Sequence, residues 1–454
     1  MQEILLVIFT LLAILFAVLA ILKKFNSRFA FVGLGLIFLF IATIIKNESV
    51  LGADTTGNMF LDIFDLMRIK LKSTTSGIGA TIMTGGAYVL FMNHIKASNV
   101  LAEGTSKVLY KLRKPYVILA GVFFIGSILK IFITSQVALG LLLMVTMYPV
   151  LVELGVSRLS CVSTMVMCGM IDEGVNDSSA IFASGVMKLT PMQYFVQYEG
   201  IIGMITIIAL TIFIPIYSKY KDKKEFGEKS EKVQIEKEII DLPKIYGILP
   251  IVPLVLIVVF SFIPSIKMDV ITANMIGFTI TFIFELIRRR HEVSKVSNLI
   301  NEVGLFMADY FNKIVAMIIA ANIFSEAVKQ LGGINILAEK MASFQGAGIM
   351  VTICLCIIVF LTGALTGSGN APFYAFGPLV PELSKMLNVS PQSMLIPMHL
   401  VGGTGRTLSP FCASVIAIPA IANVEISDCI KRSVAPIIVA TILVTVLPMV
   451  FWMF

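Results

Sequence analysis

A single arginine, Arg406, lies in an apolar stretch that reads HLVGGTGRTLSPFCASV at residues 399–415. An arginine in a membrane span costs roughly 2.5–3.5 kcal/mol on insertion scales, so it normally faces a cavity or an ionic partner. Its planar guanidinium can donate two parallel hydrogen bonds to one carboxylate. The sequence therefore predicts that Arg406 binds a carboxylate of a ligand or of Asp177. A structural arginine that pairs with a nearby acid or with helix-break carbonyls fits the same pattern.

Three acids cluster in a second interrupted stretch, CGMIDEGVNDSSAIFAS at residues 168–184: Asp172, Glu173 and Asp177. Glu173 and Asp177 would share one face if a helix continued through Gly174. Three acids at a break are suited to binding a coupling ion (sodium or a proton) or to pairing with Arg406. Acids that lie just outside the hydrocarbon give the same pattern, so both interpretations stay open.

Two further segments combine helix breakers with small, uncharged polar groups. LTGALTGSGNAPFYAFGPLVPEL, residues 361–383, has a tip formed by Thr366, Ser368, Gly369 and Asn370, and TSQVALG, residues 134–140, offers Ser135 and Gln136. Non-helical backbone at membrane depth is tolerated only where it is buried in protein or lines a cavity. Half-helix N-termini there present free N–H groups to an anion. A merely kinked span is the alternative, but two such segments at matching positions favour a binding site.

The composition places these segments in a membrane protein. The chain has 454 residues, of which 57% are hydrophobic and 14% are charged, and its mean hydropathy is +0.93. Apolar runs long enough to cross about 30 Å of hydrocarbon recur throughout. They lie near residues 4–22, 29–45, 77–93, 116–152, 157–187, 200–218, 246–264, 270–287, 303–325, 347–387, 393–424 and 434–452. We expect an all-α polytopic protein whose first run is a span and not a cleaved signal peptide.

Charge and metal-ligand patterns exclude several classes. The net charge of +7 comes from basic residues in the loops between spans, which predicts a lipid bilayer as partner and no nucleic acid. The six cysteines and three histidines show no metal-site spacing, so we expect neither a metal nor a cofactor. Lys130, Asp309 and Lys313 lie within or near spans, and we assign them no functional role. Asp309 and Lys313 are spaced i, i+4 and can neutralise each other. FLDIFDLMRIKLK, residues 60–72, is typical of an interfacial amphipathic segment.

The positions of the basic residues predict the topology. Basic clusters follow the first, third and eighth runs, fill the segment 219–244 and precede the last run. All of them lie on one side of the bilayer only if 116–152 and 347–387 enter and leave by the same face. The sequence therefore predicts ten crossings, two re-entrant hairpins and both termini outside.

The two halves of the chain also match. Thr134 and Thr366 lie in the two hairpins, and Pro149 and Pro381 repeat that relation at the same offset. Residues 1–218 form the first repeat, with hairpin 116–152 and broken helix 157–187. Residues 219–244 form a charged cytoplasmic linker, and 245–454 form the second repeat, with hairpin 347–387 and broken helix 393–424. Five crossings in each half require inverted repeats, the pattern of secondary transporters.

The stretches TGSGNAPFYAF (366–376) and GRTLSPFCASVIAIPAIANVEISDCIKRSVAPIIV (405–439) resemble the DcuC family of anaerobic C4-dicarboxylate transporters, within the wider ion-transporter superfamily. The likeness extends over nearly the whole chain. It implies uptake, exchange or efflux of fumarate, succinate, malate or aspartate, by symport or antiport, across a bacterial inner membrane. It also implies an elevator mechanism, usually in a homodimer.

The same resemblance implies a substrate site built by both halves. Its residues would be Thr366, Ser368, Gly369, Asn370, Thr404, Thr407 and Ser409 in the second half, with Ser135, Gln136 and Ser178 opposite. The arginine predicted above from its cost in a span, Arg406, would join them. The chain departs from the family at IDEGVND (171–177), where family members have mostly small neutral residues. Acids beside a dianion repel it unless they are protonated or paired, so this departure leaves the substrate open.

Other functions remain as alternatives. A related carrier of another organic acid, or a cation/proton antiporter using Asp172, Glu173 and Asp177, keeps the same fold. An intramembrane serine hydrolase is suggested by TGSG around Ser368 with His399 downstream. That hypothesis explains neither the repeat nor the first hairpin, so we expect a transporter and no enzyme.

Overall fold

The structure is a computed structural model that describes residues 2–23, 25–109, 114–226, 242–261, 268–333, 336 and 346–453. Over these residues the chain is helical and has no β-strand. Seven of the described helices are long and apolar enough to cross a membrane: Glu3–Ile21, Ser27–Lys46, Pro191–Glu225, Val270–Arg288, Val293–Leu331, Ala347–Thr366 and Ile426–Trp452. The all-α polytopic membrane fold is therefore confirmed.

Three long helical segments each consist of two α-helices joined by a π-helical turn. The first is Met59–Thr74 and Ala80–His94, joined at Thr75–Gly79; the second is Pro191–Tyr194 and Gly200–Phe226, joined at Phe195–Glu199; the third is Val293–Tyr310 and Ala316–Leu331, joined at Phe311–Val315. The first and third π-turns contact each other. Such turns often mark functional sites, and Lys313 and Ile314 of the third turn line the cavity described below.

The segments predicted as hairpins and broken helices are each divided into shorter helices by breaks. The first hairpin comprises Pro115–Lys130, Gln136–Thr146 and Tyr148–Glu153, and the first broken helix Arg158–Met167 and Ser178–Val186. The second hairpin comprises Ala347–Thr366, Asn370–Phe376, Gly377–Leu379 and Val380–Met386, and the second broken helix Pro391–Thr407 and Ala413–Ile421. The remaining helices are Gln2–Leu22, Gly52–Asp54, Ala97–Leu109, Lys244–Ile251 and Val252–Ser261.

The broken helices are in the centre of the protein. Pro391–Thr407 packs between Ala347–Thr366 and Ile426–Trp452, and nearly all of its side chains are buried. Outer helices have one apolar face left exposed, as in Ile208, Ile212 and Ile216 at i, i+4 spacing. An exposed apolar stripe on a long apolar helix is what lipid contact requires.

The segment 219–244 was predicted to be a solvated linker, but its N-terminal end is helical. The helix Gly200–Phe226 runs on past the expected boundary at 218. Asp222 on this extension is buried, because its carboxylate accepts hydrogen bonds from Ser157 and Ser160 and pairs with Arg432 at 2.6 Å. Residues 227–241 of the predicted linker, and Lys111 and Arg113 of one basic cluster, lie outside the described residues.

The amphipathic segment predicted at 60–72 is the helix Met59–Thr74, with Phe60, Leu61 and Phe64 exposed. The inverted relation of the two halves, the ten crossings and the orientation of the termini stay predictions.

Candidate functional site

Both hairpin tips and both helix breaks meet at one cavity of about 360 Å³. This volume lies within the range typical of small-molecule sites. Of the predicted site residues, the cavity is lined by Ser135, Gln136, Asp172, Asp177, Ser178, Asn370 and Arg406. A neighbouring cavity of about 340 Å³ shares Asn370 and Lys313 with the first and adds Arg28 and Ser368.

Two of the helices that begin at this cavity come from the first half. Gln136–Thr146 begins after Ser135, whose hydroxyl accepts a hydrogen bond from the N–H of Ala138. Ser178–Val186 begins after Asp177, whose carboxylate accepts from the N–H of Ser179 at 2.9 Å. These two helix N-termini are therefore capped by side chains of the protein.

The other two helices come from the second half, and their first residues have no side-chain cap. Asn370–Phe376 follows Gly369, and Ala413–Ile421 follows Cys412; neither preceding residue makes a capping hydrogen bond. The first turn of each helix has N–H groups without an intrahelical partner and a partial positive charge. The uncapped N-termini of the second half are thus the ones suited to an anion.

Close backbone contact holds the second tip against the second broken helix. A β-carbon on Gly369 would lie 2.1 Å from the carbonyl oxygen of Gly402, and Gly367 turns the chain at φ +79°. Only glycine fits both requirements without strain. Gly402 therefore lets the tip approach the second broken helix, whereas Gly403 and Gly405 allow close contact with Met170 and Phe360.

Arg406 binds Asp172, not Asp177 as the sequence suggested. Its Nη1 and Nη2 each lie 2.6 Å from one Asp172 oxygen, and its Nε donates to Gln136 at 3.1 Å. Asp172 is placed there because the break at 168–177 is non-helical, with Gly174 at φ +119°. The expectation that Glu173 and Asp177 share a helix face is wrong for the same reason.

Asp177 pairs instead with Lys130, a residue that received little weight in the sequence. The Lys130 ammonium, at the end of Pro115–Lys130, lies 3.0 Å from Asp177 and 3.4 Å from Asp172. All three side chains are buried within the protein. The position of the acids relative to the hydrocarbon stays a prediction. The two acids and the two cations give the cluster a formal charge of zero. A lysine in an apolar run is about as costly as an arginine there, so the sequence already indicated that Lys130 needs a partner.

The other predicted residues surround the cavity without lining it. The hydroxyls of Thr404 and Thr407 donate to backbone carbonyls one turn earlier, Thr407 also accepts from Gln136, and Ser409 accepts from the N–H of Phe411. Thr366 donates to Thr362 and Ser368 is exposed at the neighbouring cavity. Gly369 is buried against Gly402, and Glu173 is buried behind the break.

His399 does not contact Ser368, so the Ser/His arrangement of a hydrolase is absent from the described structure. Its two ring nitrogens lie 2.9 Å from the Ser179 hydroxyl and 3.0 Å from the Tyr194 hydroxyl. Ser368 is exposed whereas His399 is buried. The predicted i, i+4 pair of Asp309 and Lys313 is confirmed at 2.8 Å, and both residues line the cavity. Among the described residues no group of three potential ligands is placed to hold a metal ion.

The sequence model of one protein family, DcuC, described as C4-dicarboxylate anaerobic carrier, matches residues 4–453. Two curated relatives share this similarity over nearly their full length. An anaerobic C4-dicarboxylate transporter DcuC of Escherichia coli O6:H1 is 29% identical over 417 residues, which cover 92% of this chain and 90% of the relative. A probable anaerobic C4-dicarboxylate transporter DcuC of Vibrio cholerae serotype O1 is 26% identical over 433 residues, covering 95% and 94%.

Two solved transporter structures share the fold. The YdaH transporter of Alcanivorax borkumensis superposes with a TM-score of 0.62 at 12% identity, over 93% of this chain and 98% of that one. MtrF of Neisseria gonorrhoeae, whose structure is described as that of a class of antimetabolite efflux pumps, gives 0.63 at 12% identity, over 93% and 95%. At this identity the likeness concerns the fold alone.

Proposed function

The chain belongs to the DcuC family of C4-dicarboxylate anaerobic carriers, and from that premise we propose that it is a secondary active transporter of C4-dicarboxylates such as fumarate, succinate, malate or aspartate. The observation that carries the proposal is the convergence of Arg406 and two uncapped helix N-termini on one cavity. No enzymatic activity belongs to this function.

One substrate carboxylate binds at Arg406 and at the N-terminus of Ala413–Ile421. The guanidinium has five N–H donors. Four of them are used by Gln136, Gly169 and the two oxygens of Asp172, which leaves one for a ligand oxygen. Charge-assisted hydrogen bonds of this kind are roughly twice as strong as neutral ones.

The second carboxylate binds at Asn370 and the N-terminus of Asn370–Phe376. The Asn370 amide lines both cavities and is the polar side chain of the tip closest in sequence to that helix start. Two anion-binding positions on two different helices favour a ligand with two carboxylates over one with a single carboxylate.

The acids of IDEGVND do not prevent a dianion from binding, because Asp172 and Asp177 are neutralised by Arg406 and Lys130. The same pairing argues against a sodium ion at these two carboxylates, since the ion would displace a side chain of its own sign. The departure from the family pattern is thus compensated within the chain.

We place the carrier in the bacterial inner membrane with both termini outside, as an elevator-type homodimer built from inverted repeats. The basic loops support the orientation, and the superposition on two transporter folds supports the broken-helix architecture.

Counterflow in proteoliposomes tests the substrate. Vesicles loaded with unlabelled succinate should accumulate labelled fumarate, malate or aspartate, whereas vesicles loaded with butyrate or citrate should not. Asn370→Ala should abolish the preference for two carboxylates, and Asn301→Ala, an exposed helical position, is the matched control. Exchange of other acids with no exchange of C4-dicarboxylates would overturn the proposed substrate.

A further inference from the structure

Two buried carboxyl groups, Glu173 and Glu199, are used by none of the contacts at the cavity. They are 2% and 0% exposed, and one oxygen of each has no hydrogen-bond partner. Among the described residues no lysine or arginine forms an ion pair with either of them. A buried carboxylate without a cation is costly, and a proton on the carboxyl removes that cost.

The two carboxyls lie at the same place. Gly203 leaves the space for Glu173, since a β-carbon there would lie 2.0 Å from Glu173 Oε2. Glu199 lies one turn before Gly203 in the same helical segment, residues 191–226, and its carboxyl group accepts a hydrogen bond from the N–H of Gly174. Glu173 therefore packs against the helical segment that carries Glu199, and Glu199 binds the backbone next to Glu173. Two such neighbouring carboxyls cannot both ionise at low cost.

Other buried acids of the described structure are satisfied differently. Glu285 is bound by Arg288 and Arg289, and Asp222 is bound by Arg432. Asp62 is equally buried and has no cation either, but both of its oxygens accept hydrogen bonds from Ser49, Thr55 and Thr56. The absence of a cation together with an oxygen that has no hydrogen-bond partner therefore distinguishes Glu173 and Glu199 from these buried acids.

A chain of polar groups connects this pair to the cavity. Glu199 Oε1 lies 3.7 Å from His399 Nδ1, and His399 Nε2 lies 2.9 Å from the Ser179 hydroxyl. That hydroxyl donates to Asp177 at 2.6 Å, and Asp177 lines the cavity. Since the single hydrogen of Ser179 points to Asp177, His399 must donate from Nε2 and accept from Tyr194 at Nδ1.

We propose that Glu173 and Glu199 together hold one exchangeable proton, and that its binding is coupled to the occupancy of the dicarboxylate cavity through His399, Ser179 and Asp177. This inference rests on the proposed function. It assigns the coupling ion as a proton and the site as a carboxyl pair behind the cavity.

Transfer along the chain conserves every proton. The acid hydrogen of Glu199 moves to His399 Nδ1 while the Tyr194 hydroxyl turns away. The Nε2 hydrogen then moves to Ser179 Oγ, and the Ser179 hydrogen moves to Asp177 Oδ1. The reverse sequence returns the proton to the pair.

The charges around the pair determine the direction of coupling. The titratable or charged groups nearest to it are Lys130, Asp172, Asp177, Tyr194 and His399, and Arg406 is paired with Asp172 beyond them. Lys130 and Arg406 offset the two aspartates when the cavity is empty. A dianion adds negative charge beside the two cations, so the pair holds its proton more tightly when the substrate is bound.

Infrared spectroscopy of the purified protein in lipid tests the proton without using transport. The wild type should show, at neutral pH, the carbonyl band of a protonated carboxylic acid that shifts in D₂O. Each single variant, Glu173→Gln or Glu199→Gln, should lose this band at a lower pH than the wild type, because the repelling neighbour is gone. The double variant should lack the band, and Glu153→Gln, an exposed control, should keep it. A wild-type spectrum without the band would overturn the proposal.

Transport driven by an inward pH gradient tests the coupling. With the membrane potential clamped at zero, one coupled proton raises the accumulation ratio of succinate about tenfold per pH unit. Glu173→Gln should retain counterflow and lose this response at neutral pH, where its remaining carboxyl is ionised, whereas Glu153→Gln should respond as the wild type does. A full response in Glu173→Gln would overturn the coupling. Absence of counterflow in a wild type that shows the infrared band would contradict the proposed function alone.

Discussion

The ion pair between Arg406 and Asp172 predicts strong coupling between substitutions at these two positions. Arg406→Gln leaves Asp172 buried with only Lys130, at 3.4 Å. Asp172→Asn leaves the Arg406 guanidinium with neutral acceptors only, among them Gln136 at 3.1 Å. Each single change therefore leaves one uncompensated charge in the cluster, and the double change leaves none.

The magnitude follows from this imbalance. Removal of one partner of a buried ion pair costs about 3–5 kcal/mol, whereas removal of both can be nearly neutral. The remaining contact of Asp172 with Lys130 in Arg406→Gln, and the 13% exposure of the Arg406 side chain in Asp172→Asn, place each single variant at the lower end, about 3 kcal/mol. Independent effects would give about 6 kcal/mol for the double variant. We expect about 3 kcal/mol or less, which is a coupling energy of about 3 kcal/mol.

The measurement is a double-mutant cycle on the free energy of unfolding, with reversible unfolding of the purified protein in mixed micelles. The matched control is the cycle Lys313→Gln and Asp309→Asn. The N–O distance of that pair, 2.8 Å, is close to the 2.6 Å between Arg406 and Asp172, but its lysine side chain is 68% exposed. Exposed i, i+4 pairs contribute about 0.3–0.5 kcal/mol. A coupling between Arg406 and Asp172 no larger than that of the control would refute the reasoning.

The three remaining predictions concern the tips. Asn370→Ala should raise the succinate KM about 5–150-fold, corresponding to a lost buried hydrogen bond of about 1–3 kcal/mol, and unchanged counterflow kinetics would remove the tip from the site. Gly369→Ala should lower the free energy of unfolding by about 1–3 kcal/mol, because its β-carbon would lie 2.1 Å from the Gly402 carbonyl; unchanged unfolding in mixed micelles would contradict that contact. Cysteines introduced at Ser135 and Ser368 should react with a membrane-impermeant maleimide from opposite faces, and labelling from one face in every state would refute the hairpin topology.

The membrane fold, the helix breaks and the importance of Arg406 follow from the local sequence. Apolar run length and the loop positions of basic residues are properties of the chain itself, so the membrane fold follows from sequence. The helix breakers in 361–383 and 134–140 likewise predict where helices stop. Helices do begin at Gln136 and Asn370, beside the expected tips. Arg406 was found because a charge in an apolar run is costly wherever it lies.

The choice of partners could not be predicted in the same way. Arg406 and Asp172 are 234 positions apart, and His399 and Ser179 are 220 apart. Periodicity would have paired Glu173 with Asp177, but Gly174 turns the chain and directs the two carboxyls to different neighbours.

The sequence thus predicts which segments face lipid, where helices stop, and which polar groups are available at those breaks. Three features depend on the folded structure: which acid binds Arg406, the burial of Lys130 beside the cavity, and the position of Glu199 near Glu173. Helix breaks follow from local composition and backbone preference, whereas an ion pair or a shared proton depends on atoms that the packing of distant helices brings within about 3–4 Å of each other.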